Sequence, residues 1–154
     1  MQLVVTQCCK SKSSLELFPS SIDLLSRIPR TRSIVERGRC LFQQHVYGTK
    51  PVTALSLYVG HEYRALDKQL VYRRLAQGSL DLLIISACYG VVHGPEKASE
   101  YELAMDRRVA STWLKLGLPQ VLEEYVARLR PRRVYGLFTK TCLLYTSPSP
   151  RDRG

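Results

Sequence analysis

The stretch from Asp81 to Gly94, DLLIISACYGVVHG, constrains the fold of this chain more than any other. Leu82, Leu83, Ile84 and Ile85 follow one another without polar alternation, which predicts a strand buried on both faces, as in the parallel sheet of an α/β protein. Ser86, Ala87, Cys88, Tyr89 and Gly90 fall where that strand ends. Ligands of open α/β sheets bind in the crevice beyond the carboxyl ends of the strands, so this polar turn is the first place to look for function.

The rest of the chain supplies the partners such a strand needs. Leu3 to Thr6 and Val134 to Phe138 read as further strands. Helices are predicted from Ser33, as a cap, through Val46; from Glu62 to Ala76, closed by Gly78; from Arg107 to Leu116, closed by Gly117; and from Leu118 to Arg130, with Pro119 in the first turn. In the second of these, Leu66, Leu70 and Leu75 form the apolar side. Trp113, Leu116 and the Leu122 to Leu129 face read as core. Helices alternating with buried strands predict an α/β domain over residues 1–141, a single open, mostly parallel sheet flanked by helices.

A chain of 154 residues is long enough to bury about two thirds of its unfolded surface without covalent staples. No leader and no apolar run of bilayer length is read at the sequence level, so the expected location is cytoplasmic, with no membrane partner. Five cysteines, at 8, 9, 40, 88 and 142, lack C-x-x-C spacing and paired histidines. They are expected as reduced thiols, with no metal and no cofactor implied. The net charge of +10 favours an anionic partner, either nucleic acid or a phosphate-bearing small molecule. The competing reading is a solvated basic surface, a non-catalytic interaction module. The sequence leaves the oligomeric state open.

Residues 142–154, CLLYTSPSPRDRG, differ in character from everything before them. They match a translated transposase sequencing adapter, so this segment is expected to be an unstructured artefact, with the natural domain incomplete beyond Thr141.

Several short elements carry candidate chemistry. The first strand opens into Cys8, Cys9, Lys10, Ser11 and Lys12, a loop able to offer N–H groups, hydroxyls and ammonium groups to an oxyanion, though without Walker spacing. Cys8 is either a nucleophile activated by a lysine or a small buried residue at a strand end. Ser86 and Tyr89 either orient a ligand or satisfy backbone, with Gly90 allowing a tight turn. Glu102 is an acid/base candidate, paired with Tyr101 and neutralised by Lys10 or Lys12, or else a surface carboxylate. Tyr58 and Tyr63 are either base-stacking rings or core. His93, past the turn, is either an acid or base near neutral pH or a solvated loop residue.

CCKSK at 8–12, LYVGHEY at 57–63, IISACYG at 84–90 and YELAM at 101–105 together resemble the YaaA-like proteins, the family labelled peroxide stress protein YaaA. The resemblance singles out Cys8, Lys10, Lys12, Tyr58, Gly60, Tyr63, Ser86, Tyr89, Gly90, Tyr101 and Glu102. It implies an α/β domain whose loops meet around a pocket, with DNA binding and a role in the oxidative stress response. Cys88 and Glu100 depart from the family pattern. A looser similarity of the Cys and Lys loop to a domain of archaeosine synthase implies the alternative of an enzyme acting on a nucleobase or modified nucleotide. In that reading Cys8, Lys12 and Glu102 are catalytic.

Overall fold

Alternation of Leu3 and Val5, both buried, with the partly exposed Val4 and Thr6 sets the first strand, β1 (Gln2–Gln7), in the computed structural model, which describes residues 1–138. The adapter-like tail lies outside the described residues. In chain order there follow α1 (Arg32–Leu41), β2 (Val52–Thr53), α2 (Ala54–Leu57), α3 (His61–Arg64) and α4 (Lys68–Gln77). Next come β3 (Leu80–Ser86), β4 (Gly90–His93), β5 (Lys97–Ala98), α5 (Arg107–Leu116), α6 (Leu118–Leu129) and β6 (Arg133–Leu137).

The main sheet has the order β4-β3-β1-β6, and β1 runs parallel to both β3 and β6. The α/β class and the mostly parallel sheet agree with expectation; the expectation of one sheet needs correction. After the turn at Ala87 to Tyr89 the chain does not remain a loop. It returns as β4, antiparallel to β3, with Ser86 opposite Gly90 and Leu83 opposite His93. A separate two-stranded sheet pairs β2 with β5. A return strand so soon after a buried one is invisible to periodicity, because GVVH is too short to show any.

Pairing of Leu3 with Asp81 and Val4 with Leu82 puts each pair on a common face. On the Asp81 face lies α6, whose Tyr125 hydroxyl donates to the Asp81 carboxylate. On the opposite face Val71 of α4 and Leu66 line a cavity of about 440 Å³ together with Val4, Leu80 and Leu82. Helix ends follow local rules. Gly78 closes α4 at φ 74° and Gly117 closes α5 at φ 108°, both left-handed as glycine permits. Asp67 and Asp106 cap α4 and α5 by accepting from the N–H groups of Leu70 and Val109.

Two helix readings are corrected. The stretch expected as one helix over 62–76 is broken into α3 and α4, leaving Leu66 between them and Leu70 at the surface, while Val71, Tyr72 and Leu75 pack inward. Ser33 lies inside α1 and does not cap it; the cap position is Thr31. The helix also stops at Leu41, followed by a single 3-10 turn at Gln43–His45.

Trp113 of α5 is fully buried, and its indole N–H donates to the Ala87 carbonyl at 2.7 Å. This ties the turn after β3 to the helical layer. Gly38 and Gly90 make the space: a Cβ on either would come within 2.1 Å and 2.6 Å of the indole ring. Gly90 also holds φ 76°. Gly90→Ala combines overpacking with left-handed strain, and chemical denaturation is expected to show a loss of about 2 kcal/mol.

Candidate functional site

The loop after β1 is tied to the strand next door, since the Cys8 N–H donates to the Ile85 carbonyl at 2.8 Å. It then runs antiparallel to the end of α2. Ser13 N–H donates to Leu57 O at 2.8 Å, Val59 N–H donates to Ser11 O at 3.0 Å, and Lys12 bridges to Tyr58. Cys9 Sγ accepts from the Gly60 N–H and donates to Ser11 O, both at 3.3 Å. A Cβ on Gly60 would sit 2.7 Å from that sulfur, so glycine is what allows the two loops to touch. From the other side Tyr101 bridges to Val46, and the Glu102 N–H donates to His45 O at 3.0 Å. The four motifs separated in sequence therefore converge at the carboxyl ends of β1 and β3.

Between them lies an open cavity of about 420 Å³. Cys8, Cys9, Lys10 and Lys12 form one wall; Tyr101, Glu102, Leu103 and Met105 form the other, with Ile85 and Gln7 at the strand ends. Lys12 is half-buried, its Nζ 4.2 Å from the Tyr101 ring centroid and donating to Lys10 O at 3.1 Å. Burial holds the Lys12 amine below the usual lysine range, against an opposing pull from Cys8, Cys9 and Glu102. Burial also raises the Cys9 thiol, and raises that of Cys88 to about 11. Both are neutral thiols near neutral pH.

No family model matches the chain, and no curated protein matches it.

Among the expected ligand-binding residues, Tyr58, Ser86 and Tyr101 do meet, but chiefly one another. The Tyr58 hydroxyl donates to Ser86 Oγ at 3.2 Å, and the Tyr101 hydroxyl lies 2.9 Å from both partners. Ser86 Oγ also accepts from the Tyr89 N–H at 3.1 Å. With Tyr58 and Ser86 fully buried, the triad is a floor beneath the cavity, satisfied internally as buried hydroxyls must be. Tyr63 is buried too, its hydroxyl donating to Gln7 O at 2.6 Å. Tyr58 and Tyr63 are core residues, with almost no surface open to a base. Their planes stack on each other at 5.8 Å.

Gly90 lies under Trp113 and Gly60 against Cys9, so both shape backbone. Tyr89 turns away to a different hollow, where the Arg39 guanidinium sits 5.4 Å over its ring and its hydroxyl accepts from the Ser99 N–H. Ser11 is exposed and contributes backbone. Glu102 lines the cavity and is exposed; the Tyr101 hydroxyl is bonded to Tyr58 and Ser86 instead of to Glu102, which corrects the expected pairing.

One buried cluster was not legible in the sequence. His93, expected in a loop past the turn, is 2 % exposed in β4, its Nε2 hydrogen-bonded to Asp81. Tyr125 bonds the other Asp81 oxygen, and Arg27 approaches it at 3.8 Å. Burial pushes the Asp81 carboxyl up, but His93 and Tyr125 outweigh this and leave it below its usual range. Asp81 is the second residue of β3, so this cluster sits at the end of the strand away from the cavity and acts as packing. Among the described residues no group of three or more His, Cys, Asp or Glu is placed to hold a metal ion, and no helix is long and apolar enough to cross a membrane.

Proposed function

We propose that this chain is a YaaA-like protein that binds nucleic acid or a nucleotide, with phosphate held at the cavity by Lys10 and Lys12. The observation that carries this reading is the placement of both lysines of one loop on the wall of one cavity, at the carboxyl end of a parallel sheet, in a chain of net charge +10. Lys12 is fixed by its carbonyl and aromatic contacts, while Lys10 is exposed and free to follow a phosphate. The apolar wall of Ile85, Leu103 and Met105 suits a sugar or base edge. The resemblance adds a place in the response to peroxide.

Fluorescence anisotropy with a labelled single-stranded oligonucleotide across a salt series tests this. Affinity is expected to fall steeply with salt, and each of Lys10→Ala and Lys12→Ala to flatten the log–log slope by about 0.7. Absence of binding at low salt, or a slope indifferent to both substitutions, overturns the reading. A second reading, an enzyme working on a nucleic-acid component, is favoured by one observation: Cys8, Lys12 and Glu102 all line this same cavity.

A further inference from the structure

Arginines gather at the end of the sheet away from the lysine cavity, and backbone contacts fix their order. Ser79 N–H donates to Arg74 O and Gln2 N–H to Ser79 O, both at 3.1 Å, while Arg132 N–H donates to Met1 O at 2.8 Å and Gln2 pairs with Arg133. The turn from α6 into β6 adds Arg130. Arg74, Arg130, Arg132 and Arg133 are exposed, and among the described residues none of them forms an ion pair. An arginine near the end of a helix ordinarily answers the helix dipole, as Arg128 does in the last turn of α6, but Arg132 and Arg133 lie beyond it. Arg130 holds φ 52° and is the one residue other than glycine in the left-handed region among the described residues. Glycine closes α4 and α5 in that conformation, so the arginine is kept here against backbone preference, a form of strain that collects at binding sites.

The strand β6 carries this row onward. Arg133, Tyr135 and Leu137 share one face of it, and all three are exposed. The Tyr135 ring is 41 % exposed, and its hydroxyl accepts from Arg133 Nη1 at 3.5 Å. Leu137 lines the apolar cavity of about 440 Å³, and Gln7 stands on the walls of both that cavity and the one holding Lys10 and Lys12. A basic edge, an open aromatic ring and the lysine cavity thus follow one another along the sheet, over about 20 Å for the six residues of β1. One nucleotide cannot touch both ends. We propose that the ligand is a single strand of nucleic acid, with backbone phosphates held by Arg130, Arg132 and Arg133 and a base stacked on Tyr135. The guanidinium fork matches phosphate oxygens, and an exposed ring beside a basic row receives unpaired bases. This inference rests on the nucleic-acid reading of the cavity and chooses between its two ligands, a polymer over a free nucleotide.

The test compares a labelled trinucleotide with a labelled single strand of about 20 nucleotides, longer than one small domain covers, by anisotropy across a salt series. The long strand is expected to show a log–log salt slope steeper by about 2 than the trinucleotide, from three further phosphate contacts at about 0.7 each. Joint replacement of Arg130, Arg132 and Arg133 by Gln removes that difference and leaves the trinucleotide slope where it was. Tyr135→Ala weakens the long strand about tenfold at every salt concentration without changing its slope. Arg130→Gly, which supplies the residue its backbone favours, unfolds at no lower urea concentration and still flattens the long-strand slope by about 0.7, so a loss of binding there is not a loss of fold. Equal slopes for the two probes, or a long-strand slope indifferent to the arginine substitutions, overturn the inference and leave the cavity reading standing. Phosphatidylserine vesicles that bind through these arginines when the long strand does not also overturn it. Binding of neither oligonucleotide at low salt overturns the nucleic-acid reading itself.

Discussion

Replacing Trp113 by Ala is expected to lower the stability of this protein by about 4 kcal/mol, the middle of the range for truncating a large buried aromatic. Three losses combine. The indole is fully buried against Phe42, 5.7 Å between centroids, and against the bare backbones of Gly38 and Gly90, which have no side chains with which to fill the void. The Ala87 carbonyl loses its 2.7 Å donor in a buried turn. That same turn follows Ser86, the centre of the hydroxyl floor, so the damage reaches the cavity. Urea denaturation gives the magnitude, and a change confined to a few tenths of a kcal/mol would contradict the role assigned to Trp113. Gly38→Ala attacks the same contact from the other side, with a methyl placed 2.1 Å from the ring.

Removing the Glu124 carboxylate is the second large effect. From α6 it accepts hydrogen bonds from the N–H groups of Arg30 and Thr31, at 3.0 and 2.8 Å, from the Thr31 hydroxyl at 2.8 Å, and from Arg128 Nε at 2.9 Å. Thr31 is the cap position of α1 and has no side-chain cap bond of its own. Glu124 thus satisfies donors at the start of α1 from a distant helix, where its charge also meets the positive end of the helix dipole. Glu124→Ala is expected to cost about 3 kcal/mol, as for a buried charge network stripped of one member. Burial raises this carboxyl, yet the hydrogen bonds from Arg30, Thr31 and Arg128 outweigh it and bring it down to about 2. A folded value below the unfolded one contributes stability fully above an ordinary carboxyl value of 4.5, lost as pH falls toward about 2. The stability gap between the unsubstituted protein and Glu124→Gln, measured by urea melts across that window, is expected to close with acid. A gap independent of pH would show that the carboxylate's charge is not what α6 supplies.

Both effects come from contacts that join distant segments, and the cavity is built the same way. Lys10 and Lys12 reach it because the loop after β1 is threaded between β3 and the Tyr58 segment by backbone hydrogen bonds. Motif reading singled out four segments that the structure brings together. It did not tell which of their side chains face the cavity: Cys8, Lys12, Tyr101 and Glu102 line it, while Tyr58, Ser86 and Tyr63 are buried and do not. A tyrosine hydroxyl in a sequence carries no sign of whether its partner is a ligand or another tyrosine.

What the sequence determined by itself rests on short-range physics. An unbroken run of apolar side chains at 82–85 has no stable place except a strand covered on both faces, and β3 is buried from Asp81 to Ser86. Glycine tolerates the left-handed turn, so Gly78 and Gly117 end their helices, and the bounds of α5 fall where expected. Proline fits the first turn of α6 for the same local reason. Only the tertiary structure decided that GVVH folds back on β3, that Trp113 rests on two glycines, that Glu124 caps α1, and that His93 is sealed against Asp81. Each of these depends on a partner far along the chain or across the fold, and hydrophobic periodicity and turn chemistry carry no information about which distant residue will arrive.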